Sequence, residues 1–313
     1  ISEAVEDFIE TEEPRTKAAD GERAQLSKKY AYTRAIQLRK FSATFPNTAV
    51  CDLCKEHLDT FIGSLAKLKT KSGKDRAAGS AKSRNHYRAA VRQFLQWAVR
   101  KDYLAPTHRL NEADAMRPEH ANTADAEFYA PGELADLLAA AKDDLRAMRP
   151  AIAIGGLAGL RTAELLRLDW ADVWRVPGHI EITKGKSKTR QRRLVEICPA
   201  LAAWLGTYRT STSGKLWTEA ETTFQDRFGS LCESAKVARK HNGLRHAFCT
   251  YHFAAYANEN QTAQQAGNSP AMIHAHYKGL ATKTEAEKWF NVIPTGAAKN
   301  VISLAVASRK KAR

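Results

Sequence analysis

The sequence predicts a mainly helical protein with one small β-sheet, built as a helical first domain followed by a mixed α+β second domain. Three observations carry that expectation. Apolar residues recur at helical spacing through most of the chain. Strict alternation of apolar and polar residues is confined to 178–197. A stretch over 105–126 follows neither period and holds Pro106, Pro118 and several Asn, Thr, Asp and His residues, as a connection between domains does. At 313 residues the chain is also long for a single core. The expected division is a helical domain over 1–115, a linker over 116–126 and a second domain over 127–313.

Taken in order, residues 22–44 place Leu26, Tyr30, Ala31, Ile36, Leu38 and Phe41 among basic groups and predict a helix that ends before Pro46. Residues 49–67 predict a second helix through Leu53, Leu58, Phe61, Ile62 and Leu65, followed by a polar loop over 69–76. The clearest period runs from Ser83 to Leu104, where Tyr87, Val91, Phe94, Leu95 and Ala98 share one face. Arg84, Arg88 and Arg92 repeat at four-residue steps on another face. That stripe suits a phosphate backbone, and a plain solvated face is the alternative. Pro131 opens a new helix, since its fixed φ and missing N–H suit a first helical position. His179-Ile-Glu-Ile-Thr and Arg193-Leu-Val-Glu-Ile predict two strands, with the basic tip Lys184-Gly-Lys-Ser-Lys-Thr-Arg-Gln-Arg between them. Trp170 to Val176 is expected to add a third, shorter strand.

The formal net charge is +15 and the pI is near 9.6, which favours a polyanionic partner, nucleic acid first among them. No apolar run reaches the roughly 18 residues of a membrane span, so no membrane partner is expected. The opening Ile1-Ser-Glu-Ala-Val-Glu is not a signal peptide, and without an initiator methionine it is read as the start of a shortened chain. Five cysteines, an odd number with no paired spacing, are expected to be reduced. Cys51-Asp-Leu-Cys54 with His57 lacks the second ligand pair of a zinc site, so its thiols are expected to be core or partly buried groups. No metal and no cofactor are expected.

Three short fragments carry chemistry. Ala158-Gly-Leu-Arg161-Thr-Ala-Glu164 places an arginine at a helix start, with Glu164 one turn on to orient it. Gly243-Leu-Arg245-His246 places a second arginine at a helix N-terminus, where free N–H groups add to its attraction for anions. His246 is read as a core histidine bonded to a loop. Tyr277 lies nine residues after Asn268 of Gly267-Asn-Ser-Pro. Each fragment alone reads more readily as an ordinary surface or packing segment. Together, two guanidiniums suit a phosphodiester and a phenol suits attack on its phosphorus.

In this order the fragments resemble the tyrosine recombinase (phage integrase) family, with the motifs falling within about 131–290 and the preceding helical domain matching in position and size. The resemblance implies a helical core-binding domain followed by a catalytic domain. It implies that Arg161 and Arg245 bind the scissile phosphate, that Tyr277 forms a 3′-phosphotyrosine, and that Lys188 protonates the leaving oxygen, with Lys186 as the fallback. Lys186, with Arg84, Arg88 and Arg92, falls where contacts to DNA are expected. Two positions depart from the family pattern: Asn242 stands where it has His or Lys, and Asn268 where it has His. Neither amide titrates near neutral pH, so both are expected to act as neutral phosphate ligands. His241, His274 and His276 lie nearby without matching either position.

What the resemblance implies of function is a site-specific recombinase or integrase of a mobile element, acting on double-stranded DNA as a tetramer through a Holliday junction. Its expected setting is a prokaryotic cytoplasm, associated with the nucleoid. Two alternatives stay open: a catalytically degenerate sequence-specific DNA-binding protein, and a type IB topoisomerase-like enzyme. Residues 281–313, with Trp289-Phe290, Val301-Ile-Ser-Leu-Ala-Val and a basic end, are expected either to couple subunits or to pack on their own domain.

Overall fold

A computed structural model describes residues 1–16, 26–65, 80–120, 127–141, 148–186 and 192–296. The chain divides into two compact units, Ile1–Thr123 and Ala124–Arg313. Among the described residues no helix is long and apolar enough to cross a membrane.

The first unit is helical. Helix α1 (Ser2–Glu12) buries Ala4, Val5 and Phe8. Helix α2 (Lys28–Thr44) starts where the Ser27 hydroxyl accepts the Tyr30 N–H, which satisfies one of the free amides of the first turn. The single helix expected over 49–67 is instead a 3-10 turn, Val50–Asp52, followed by α3 (Lys55–Leu65). Extended backbone at Leu53 separates the two and lets Val50 and Leu53 both reach the core. Cys51 is exposed, contrary to the sequence expectation, while the half-buried Cys54 has its Sγ 2.8 Å from His57 Nδ1. Helix α4 (Ala81–Arg100) presents Val91, Phe94, Leu95 and Ala98 to the core as its period predicts. Aromatic rings meet there edge to face, Phe41 on Phe61 at 5.1 Å and Phe8 on Trp97 at 5.6 Å.

The arginine stripe of α4 is not a solvated face. Arg88 is buried and donates to Ala115 O at 2.5 Å, to Asn85 Oδ1 at 3.0 Å and to Glu119 Oε1 at 2.6 Å. Arg84 Nε donates to both oxygens of Glu119, and Arg92 donates to Met116 O at 2.8 Å. These three cations therefore bind residues 115–119 to the helix. Met116, at the start of the linker expected over 116–126, is wholly buried in the first core. Residues 121–126 of that expected linker, and the loop expected over 69–76, lie outside the described residues.

In the second unit, α5 (Pro131–Ala140) begins at Pro131, with the Glu133 carboxylate accepting the Ala130 N–H at 2.7 Å. Helix α6 (Met148–Leu157) is buried almost all round. Two short helices follow, α7 (Thr162–Leu165) and α8 (Trp170–Trp174). The third strand expected over Trp170 to Val176 is thus a helix with a single bridging residue after it, Val176 paired with His179. The reason is local: Asp172 accepts the Asp169 N–H at 2.8 Å, and helical spacing brings Trp170 onto Trp174. Strands β1 (His179–Ile182) and β2 (Arg193–Glu196) form an antiparallel pair with Ile182 opposite Arg193. Then come α9 (Pro199–Leu205), α10 (Glu221–Ser234), α11 (Gly243–Tyr256), α12 (Glu259–Ala266), α13 (Pro270–Tyr277) and α14 (Lys283–Trp289). Helix α11 is central and packs on α6, α12, α13 and α14. Trp289 is sealed in this core, stacks on Tyr251 and donates its indole N–H to Gly156 O at 3.0 Å. The beginning of the expected coupling segment is therefore core of its own unit, and residues 297–313 lie outside the described residues.

Candidate active site

The site forms where α7, α11, the turn between α12 and α13, and β2 meet. Gly159 closes the turn out of α6 with φ +64, a conformation open to glycine at little cost. A Cβ there would lie 2.2 Å from Phe248 Cδ1 of α11, so only a hydrogen fits. The turn delivers Arg161 to the start of α7. There its backbone N–H and its Nη1 donate to the two oxygens of Glu164, at 3.2 and 2.9 Å. Its Nη2 donates to Gly267 O and, at 3.1 Å, to Asn268 Oδ1. Arg245, in the first turn of α11, donates to Gly159 O at 2.6 Å and to the same Asn268 Oδ1 at 2.8 Å.

One carboxylate serves two guanidiniums. Glu164, only 1 % exposed, also accepts two bonds from Arg193 of β2, at 2.6 and 3.2 Å. Burial by itself raises the Glu164 carboxyl, but hydrogen bonding and charge from Arg193, with the charge of Arg161, outweigh it and hold the group below its usual range. Gly267, at φ +68, leaves room for Arg193: a Cβ there would sit 2.8 Å from its Nη1. Burial pulls the Arg245 guanidinium below its usual range, and the neighbouring Arg161 charge pushes the same way. Positive charge thus exceeds negative charge in a partly dry cluster, the electrostatic condition for holding an anion.

Tyr277 ends α13 with its ring turned inward and only 5 % exposed. Its hydroxyl lies 2.8 Å from His246 Nδ1. Burial pushes the phenol well above its usual range and Cys249 adds to this, while Arg245 and Arg161 draw it the other way. Burial holds the His246 imidazole below its ordinary value, with Arg245, His241 and His276 adding to the effect.

Of the residues singled out in the sequence, the structure joins Arg161, Arg245 and Asn268 directly and sets the Tyr277 hydroxyl against His246, the residue after Arg245. It does not join Asn242 to them. That residue precedes α11 in the left-handed region, φ 53, and its amide contacts His241 Nε2 at 3.0 Å. Lys188 lies outside the described residues. Lys186 is held by the carboxylates of Asp169 and Asp172, so its charge is already matched instead of being free for a phosphate. His274 pairs with Glu259 at 3.0 Å, away from the phenol.

Two residues of the site carry signals that sequence reading passed over. His246 was expected to bond a loop, and its partner is the phenol. Arg193 follows from the strand period itself: it shares a face with the buried Val195, so its cation had to find an internal carboxylate.

No family model and no characterised protein sequence matches the chain. Solved structures do match. A lambda integrase (75–356) dimer bound to a COC′ core site superposes with a TM-score of 0.68 at 12 % identity, covering 90 % of this chain and 97 % of that one. A lambda integrase tetramer bound to a Holliday junction gives 0.65 at 12 % identity over 87 % and 76 %. XerH site-specific recombinase bound to palindromic difH substrate gives 0.58 at 17 % identity over 80 % and 76 %. The chain therefore has the fold of the tyrosine recombinases and integrases.

Proposed function

We propose that this chain, built on the tyrosine-recombinase fold, is a site-specific DNA recombinase that cuts and rejoins duplex DNA through a 3′-phosphotyrosine. One observation carries the reading: the guanidiniums of Arg161 and Arg245 converge on a single acceptor, Asn268 Oδ1, at 3.1 and 2.8 Å, with the Tyr277 hydroxyl 2.8 Å from Nδ1 of His246, the residue after Arg245. An oxygen held by two such forks stands where a non-bridging phosphate oxygen would bind.

The chemistry follows from charge. Attack by Tyr277 Oη on phosphorus loads negative charge onto the non-bridging oxygens, and two fixed guanidiniums stabilise that charge better than water does. The P–O5′ bond breaks and the 5′ oxygen departs as a strong base, so an acid beside it is needed. The family resemblance gives that role to Lys188. The phosphotyrosine bond keeps the energy of the broken linkage, so a 5′-hydroxyl from another strand can reverse the step without a nucleotide cofactor. Exchange between two sites then requires several copies on DNA, as in the lambda integrase tetramer on its junction, and we extend that assembly to this chain. Arg161 and Arg245 bind the phosphate, Asn268 is the neutral ligand displaced or shared on binding, and Asn242 sits at the rim of the same helix start.

The deep placement of Tyr277 favours one rival, a DNA-binding protein that no longer cuts. A nicked suicide duplex separates the two. The recombinase reading expects a covalent adduct on a denaturing gel that disappears in Tyr277→Phe; binding without any adduct favours the rival. Exchange between two sites, against relaxation of supercoils alone, separates it from a topoisomerase.

A further inference from the structure

We infer that the His246 imidazole takes the proton of Tyr277 during cleavage and returns it during rejoining. The inference deepens the phosphotyrosine reading and rests on it. A phenol is a weak nucleophile near neutral pH until its proton leaves. The two positions where the family carries a titrating group hold amides here, Asn242 and Asn268, and an amide cannot accept that proton. His246 Nδ1 lies 2.8 Å from the phenol oxygen, within reach for direct transfer.

The residue is placed by its helix. His246 sits in the first turn of α11, with its backbone N–H bonded to Asn242 O at 3.0 Å. The groups that face the pair are cationic or neutral: Arg245 and His241 beside the ring, His276 on α13, and Arg161 and Cys249 near the phenol. Burial first, and then these charges, lower the proton affinity of the imidazole below its ordinary value, which favours a ring with a lone pair for the phenol proton. They also tie its basicity to the substrate. A bound phosphate offsets the charge of Arg161 and Arg245, so the ring gains proton affinity when the scissile group is in place.

The step balances. The Oη–H bond of Tyr277 breaks and the proton bonds to Nδ1, giving imidazolium. Oη bonds to phosphorus, P–O5′ breaks, and the 5′ oxygen takes a proton from the Lys188 ammonium of the reading above. Rejoining runs the same transfers backwards.

The test is single-turnover cleavage of a nicked suicide duplex by the full chain between about pH 5 and 9, for wild type, His246→Gln, His246→Ala and Tyr277→Phe. Expected is a wild-type rate that falls on the acid side as the ring takes up a proton. His246→Gln should slow cleavage by about 10²–10⁴ and lose that acid limb. Added imidazole should restore His246→Ala, a rescue that a folding defect would not show. Wild-type rate with an unchanged profile in His246→Gln overturns the inference. So does faster cleavage in His246→Ala, which would make the ring a latch, or a loss that imidazole does not repair while the acid limb persists. A wild-type chain that forms no adduct at all counts against the phosphotyrosine reading and not against His246 in particular.

Discussion

Arg193 of β2 reaches Glu164 of α7 with Nη2 2.6 Å from Oε2, both side chains almost closed to solvent. The pair joins the base of the β-hairpin to the carboxylate that also orients Arg161. Glu164→Gln keeps the shape but leaves Arg193 buried without a counter-charge. Removing one partner of a buried pair costs about 3–5 kcal/mol. Urea unfolding should show a loss of that order, and cleavage should fall with it because Arg161 loses its guide. An unchanged midpoint would mean that the pair contributes no stability.

Arg161→Lys and Arg245→Lys retain charge but lose the planar fork that lets each guanidinium bind two acceptors. Each should lower the single-turnover cleavage rate by about 10²–10³ while changing duplex affinity little. A larger effect on binding than on rate, measured by filter retention, would move their role from the reacting phosphate to general DNA attraction.

Asn268→Asp should raise thermal stability and suppress cleavage. Its carboxylate would accept from both guanidiniums, matching charge that otherwise awaits a phosphate. The expected rate loss is on the order of 10², comparable to losing one donor. Asn268→His should add a titrating limb to the pH profile. Unaltered rate and profile in both variants would remove Asn268 from the site.

Arg88→Met tests the revised role of the α4 stripe. Its buried guanidinium holds Ala115 O and Glu119, so the loss should appear as lower stability of the first unit. The salt dependence of DNA binding should keep its slope, since a phosphate contact would contribute about 0.9 to that slope and Arg88 is not expected to make one. A slope smaller by that amount would restore the stripe as a DNA surface.

Acid stability has its own probe in His252, buried against Thr262 with Nδ1 2.8 Å from Oγ1 and held at about 4 by burial. The folded value lies below the unfolded one, so the unfolded chain binds the proton more readily. Stability is therefore full above about pH 6.5 and drains away as pH falls toward 4, by on the order of 3 kcal/mol in all. Thermal melts of His252→Gln should flatten over that window; a parallel acid loss in the variant would assign it to other groups.

Much of the fold is legible residue by residue. The α4 face, the start of α5 at Pro131 and the β1–β2 pair follow from period and capping, which are local. The 3-10 turn at Val50 and helix α8 were misjudged because short segments are settled by capping bonds and by which partners are in reach, as with Asp172. In the site, Arg161, Arg245 and Tyr277 could be picked out because their order resembles the motifs of a known family. The company they keep could not: the Asn268 oxygen shared by two arginines and the His246–Tyr277 bond are contacts between segments more than 20 residues apart. The α4 arginines show the converse, since charge at regular spacing looks alike whether it meets solvent or a passing segment of the same chain.

Gly159 sets a limit on how this site can vary. Its carbonyl anchors Arg245, and the space a methyl would need is already filled by Phe248. Adding one carbon at residue 159 would wedge α11 away from the turn and part the two cations, though neither would be altered. The separation of the charges is thus written partly in a missing atom, and variants there should lose chemistry while keeping every group that performs it.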